Sequence, residues 1–117
     1  MLKLQMLDPS EPNQGGRAMI KGLEQLDARE LHYLCAMIDT DPHKTASDLF
    51  PDQSGGRMAV TRKIGQWAIN RRTVLEFTAE EKPEIALIFK KVCYRIWNEL
   101  PDYARSLKVT IEPADRC

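Results

Sequence analysis

Arg62, Gln66 and Asn70 stand four residues apart in a stretch, Gln53 to Leu75, that holds five basic residues and no acidic one. Arginine, glutamine and asparagine carry the paired donors and acceptors that match base edges in the major groove of DNA. The remaining basic residues of the stretch, Arg57, Lys63, Arg71 and Arg72, are of the types that neutralise phosphates. A formal net charge of zero conceals this block: residues 1–52 sum to −4, residues 53–75 to +5 and residues 76–117 to −1. A local basic stretch on a helix is the footprint of a phosphate backbone or an acidic protein partner. It is also the composition of a solvated face without a ligand. Balanced overall charge disfavours a purely electrostatic coat protein and leaves a local groove reader open.

Other chemistry finds little support. His32 and His43 lie eleven apart, with no Cys or His pair at metal spacing, so no metal site is expected. Glu80, Glu81 and Glu84 suit the positive end of a helix and need no role as general acids. Neither GxGxxG nor GxxxxGK[ST] occurs, and no cofactor is implied. Ser54-Gly55-Gly56-Arg57 could hold at most one anion at a helix N-terminus. Cys35, Cys93 and Cys117 are odd in number and contain no CxxC; the first two fall in helical apolar patterns and read as small core hydrophobes. With no apolar run near the ~20 residues of a membrane span and no signal-peptide core, the expectation is a non-enzymatic, cytoplasmic chain that does not enter a membrane.

The elements that must position these residues are mostly helical. Residues 1–16, with DPSEPNQGG, read as a flexible arm, 17–112 as a single domain and 113–117 as a disordered tail. A short helix is expected around Ala18–Gln25. Asp27 and Glu30 form a capping box, Leu26 and Leu31 a hydrophobic staple, and Leu31, Leu34, Cys35 and Ile38 a buried stripe. Asp41-Pro42 starts a second, short helix that stops at Phe50 before Pro51. After the loop PDQSGG a third helix spans about Arg57 to Arg72. Thr73–Phe77, TVLEF, reads as a strand, to pair with a second strand at Leu107–Glu112. Thr78 opens a fourth helix whose regular part begins near Lys82, with Ile85, Ile88, Phe89, Val92, Ile96 and Leu100 as its apolar stripe. The fold class is therefore mainly α: a compact bundle of four principal helices with at most a small two-stranded β element. Trp67, Trp97, Phe89 and Tyr94 are expected inside, and Tyr103 is the aromatic expected at the surface.

At 100° per residue, Val60, Ile64, Trp67 and Ala68 share one side of the third helix, and Arg62, Gln66 and Asn70 lie opposite, flanked by Lys63. Arg57, Arg71 and Arg72 sit at the helix ends, where phosphates would be met. A capped helix, a short helix and this basic helix together resemble a helix-turn-helix over residues 27–77. The resemblance implies transcription regulation through double-stranded DNA, read by Arg62, Gln66 and Asn70. Two features depart from the usual pattern: PDQSGG is longer than the simple turn, and the expected strands are too far apart in sequence for a normal wing hairpin. Met58 and Ile69 fall on the outer face, and apolar side chains among arginines are the composition of a protein interface. The alternative is thus an adaptor or inhibitor that binds an acidic protein partner through the same surface. A homodimer is compatible with either reading.

Overall fold

The computed structural model describes residues 2–3, 19–53 and 55–111. Strand β1 (Leu2–Lys3) and strand β2 (Met19–Gly22) flank β3 (Lys108–Ile111), both antiparallel to it. Between β2 and β3 come a single 3-10 turn at Leu23–Gln25 and five helices: α1 (Ala28–Thr40), α2 (Pro42–Leu49), α3 (Arg57–Ala79), α4 (Pro83–Glu99) and the one-turn α5 (Asp102–Arg105). The architecture is the expected mainly helical bundle of four principal helices, and the small antiparallel sheet gains a third, two-residue strand, β1, beyond the expected pair. Residues 4–16 of the expected arm, and the tail 113–117, lie outside the described residues.

Helix α3 is the axis of the domain. It packs against α1 and α2 and also against α4. Its buried side chains Ile64, Trp67, Ala68 and Val74 meet Leu31, Leu34, Ile38, Leu49 and Phe50 from α1, α2 and the residue after it, and Ala86, Cys93 and Ile96 from α4. Local signals fix the first two helices. The Asp27 carboxylate accepts from Glu30 N at 2.8 Å, and Asp27 N donates to Glu30 Oε1 at 2.9 Å, so two end groups of α1 are satisfied reciprocally. The Asp41 carboxylate accepts from Lys44 N at 3.1 Å with Pro42 behind it, which starts α2. Lys21 Nζ sits 3.0 Å from Glu30 Oε1, tying β2 to the first turn of α1.

Three local expectations are corrected. TVLEF is helical, and α3 runs on to Ala79. Val74 is buried, Leu75 and Phe77 pack against the core, and Thr73 Oγ1 donates to Ile69 O at 2.9 Å. Extending an existing helix adds one backbone hydrogen bond per residue, whereas β propensity depends on a sheet partner. That partner is taken: β3 pairs with β2, Ile20 opposite Thr110 and Gly22 opposite Lys108. The helix expected around Ala18–Gln25 is accordingly strand β2 followed by the 3-10 turn, with the described part beginning at Met19.

The third correction is the phase of α4, which begins at Pro83, Thr78 belonging to α3. Ala86, Cys93, Ile96 and Leu100 are buried, and Phe89, Val92 and Trp97 pack partly against them. Ile85 and Ile88, assigned to the stripe from sequence, are exposed, as is Tyr94. Apolar residues cover more than half of this helix, so periodicity alone could not choose its inner face. Small Ala86 and Cys93 sit where α4 approaches α3. Tyr103, expected outside, is half-buried with its ring edge-on to Phe50 at 5.1 Å. The turn from α3 to α4 closes with Lys82 N donating to Phe77 O at 2.9 Å and Glu81 N to Thr78 O at 3.1 Å. Glu81 lies at φ 61°, in the left-handed region that such helix ends require.

Candidate functional site

The seven polar residues singled out on α3 do not converge on one surface. Arg62 and Gln66 are exposed and Asn70 is half-buried beside them, on the side away from the core. Part of the Asn70 amide is used locally, its Nδ2 donating to Gln66 O at 2.8 Å. Lys63 Nζ pairs with Glu99 Oε1 of α4 at 3.1 Å. Arg57 turns back at the start of α3, its Nη1 donating to Phe50 O at 3.2 Å, so it closes the α2–α3 connection. That connection enters α3 through Gly56 at φ 78°, a left-handed conformation that glycine adopts without strain.

Arg71 and Arg72 are drawn to opposite flanks of α3. Arg72 Nη1 donates to His32 Nδ1 of α1 at 2.9 Å, and its Nε lies 3.9 Å from Glu76 Oε1. Arg71 lines a cleft of about 310 Å³ with Trp67, Lys90, Cys93 and Trp97 on the α4 side. The Nε atoms of both arginines are buried and find no hydrogen-bond partner among the described residues. The stems of these side chains therefore serve as packing between helices. Their charges also reach the two buried thiols. Burial pushes the Cys35 thiol up, partly opposed by Arg72, and burial pushes the Cys93 thiol up, partly opposed by Arg71. Cys35 Sγ donates to Gly65 O at 3.9 Å and Cys93 Sγ to Trp67 O at 3.8 Å, so both behave as core residues.

On the outer side of α3 the described residues form a cleft. Arg62, Gln66 and Ile69 line a cavity of about 390 Å³ together with Ile38, Asp39, Pro42 and Gly65. Ile69 is 44% exposed, as the helix phase implied. Met58, placed with it from sequence, is half-buried. Gly65 lies at the floor of the cleft, where a Cβ would stand 3.4 Å from Ile38 Cγ2 and narrow it slightly. Sequence reasoning missed Asp39 and Pro42, which belong to the α1–α2 junction and approach α3 only through the tertiary fold. An exposed cation, an amide and an apolar floor can together hold an acidic group next to a hydrophobic one.

No family model, curated protein or solved structure matches the chain. The site must be read from its own chemistry. Among the described residues no group of three or more His, Cys, Asp or Glu side chains could hold a metal ion, and no helix is long and apolar enough to cross a membrane.

Proposed function

We propose that this chain is a non-enzymatic binding module that docks an acidic protein segment on the outer face of α3. The observation that carries the reading is the cleft at Arg62, Gln66 and Ile69, where a cation stands beside an apolar floor. Asp39 lines the same cleft, and its carboxylate disfavours a dense row of phosphates there. Three of the seven expected contact residues, Arg57, Lys63 and Arg72, have partners within the fold, Lys63 in a surface pair with Glu99, and Arg71 points to the α4 side. Their loss weakens the case for a DNA backbone, which rewards several cations on one surface.

DNA remains the second reading, favoured by Arg62, Gln66 and Asn70 on one side of a helix. A single titration series separates the two. Fluorescence anisotropy is measured with a labelled peptide of Asp and Glu residues around one Leu, and with a short mixed-sequence duplex. The protein reading expects saturable peptide binding that Arg62→Ala weakens about tenfold, equivalent to about 1.4 kcal/mol. The DNA reading expects duplex binding whose log–log salt slope is about −0.9 per phosphate contacted, with Gln66→Ala relaxing sequence preference. Folded protein that binds neither probe at low salt removes α3 as the binding face.

A further inference from the structure

We propose that the outer face of α4 is a self-association surface, on which a second copy of this chain lies antiparallel across a two-fold axis beside Ile88. This inference is independent of the α3 cleft. Ile88 is 62% exposed and Leu87 51%, and Ile85 is exposed beside them. Ile85, Ile88 and half-buried Val92 follow one another at three- and four-residue spacing, so they form one apolar patch along the helix. Soluble domains seldom leave such patches uncovered.

The charges around the patch select the occupant. Glu84 lies on its N-terminal side, and Lys91 and Arg95 lie on its C-terminal side. Glu84 and Lys91 are two helical turns apart, about 10 Å along the axis, too far to meet within one chain. None of these three residues forms an ion pair among the described residues. In an antiparallel pair centred on Ile88, residues before the centre face residues after it on the partner. Glu84 then lies against Lys91 and Val92 of the second copy, and the same contact repeats on the other side of the axis. A parallel pair would set Glu84 against Glu84 and Lys91 against Lys91. The acidic–apolar–basic order is thus self-complementary in one orientation only. A single helix face buries less area than a stable obligate dimer needs, so the expected dimer is weak and concentration-dependent.

The test is sedimentation equilibrium of the full chain over a wide concentration range, with circular dichroism to verify folding of each variant. The wild type should shift from monomer to dimer as concentration rises. Ile88→Glu should weaken dimerisation at least about thirtyfold, as the loss of a central contact does. Glu84→Lys alone and Lys91→Glu alone should each be monomeric, since each sets like charges opposite one another. Mixed together they should form a heterodimer, because the two introduced charges are then opposite in sign on one side of the axis and the native pair is kept on the other. A wild type that stays monomeric throughout would overturn the proposal, whether the face is covered by another part of the chain or by a different protein. A dimer that ignores all three substitutions would also overturn it, and so would single variants that fail to heterodimerise.

Discussion

Gly65 sits mid-helix in α3 at the point where α1 crosses it, and substitution there measures the spacing on which both the core and the cleft depend. Glycine in a helix interior is about 0.8–1.0 kcal/mol less favourable than alanine. A Cβ at position 65 would lie 3.4 and 3.5 Å from Ile38 Cγ2 and Cδ1, and 3.9 Å from Ile38 Cβ. These are ordinary contacts, which add dispersion and exact little strain. Gly65→Ala should therefore stabilise the domain by about 0.5–1 kcal/mol, a rise of roughly 3–5 °C in Tm for a domain near this size. Gly65→Val carries the next atoms into Ile38 and should destabilise by about 1–3 kcal/mol through overpacking. Urea melts of the wild type and both variants, fitted with a common m-value, provide the measurement. The change of sign between alanine and valine is the diagnostic result. Destabilisation of more than about 1 kcal/mol by alanine would show that α1 and α3 approach more closely than this, and the floor of the cleft would be gone with it. In the binding series the same Gly65→Ala protein should take the acidic peptide less well despite being more stable, because the new methyl narrows the floor.

Three further outcomes follow from the geometry. Glu81→Gly should stabilise by about 1 kcal/mol in the same melts, since it relieves a side chain held in the left-handed region at the end of α3; a neutral or negative effect would contradict that backbone. Arg62→Ala should leave stability within about 0.5 kcal/mol, whereas Arg72→Ala should cost about 1–2 kcal/mol by removing the hydrogen bond to His32 and its packed stem, and equal effects would refute the division of the arginines into exposed and anchored. Both internal thiols are pushed up by burial, so Cys35 and Cys93 should resist alkylation in the folded chain at mildly alkaline pH and react on unfolding. The unfolded thiols ionise first as pH rises, so these groups contribute a loss of stability that starts near the ordinary thiol range of about 8.5. A melt series from neutral pH through that range, in reductant, reads it, and stability that rises across the range would contradict the assignment.

The parts of this fold legible in the sequence are those decided by neighbours along the chain. Asp27 and Glu30 cap α1, Asp41 and Pro42 start α2, and the stripe of Leu31, Leu34, Cys35 and Ile38 faces the core, all as their spacing implied. TVLEF misled because its β-branched residues express a preference that only a strand partner can realise, and residues 19–22 hold that partner. The phase of α4 was hidden because apolar residues line both of its sides. At the site, helix geometry placed Arg62, Gln66 and Ile69 outside correctly. It could not show that Lys63 pairs with Glu99 or that Arg72 reaches His32, because those partners come from other helices. A basic run in sequence thus became one exposed arginine and a set of cations turned toward neighbouring helices.

The pairing of β2 with β3 has a kinetic meaning as well as a geometric one. Gly22 and Lys108 meet across the sheet with α1 to α5 between them along the chain. The helices pack largely on their sequence neighbours, so they can collapse with short loops, while the sheet must wait for distant segments to find each other. The sheet is therefore expected to be the seam that closes last on folding. Val109, wholly buried, and Leu23 and Leu107 beside the seam become exposed when it parts. The helical layer can remain assembled behind them. A partly opened molecule of this kind would present a free strand edge before it lost its helices, and that edge is where proteolysis or mispairing with another chain would begin.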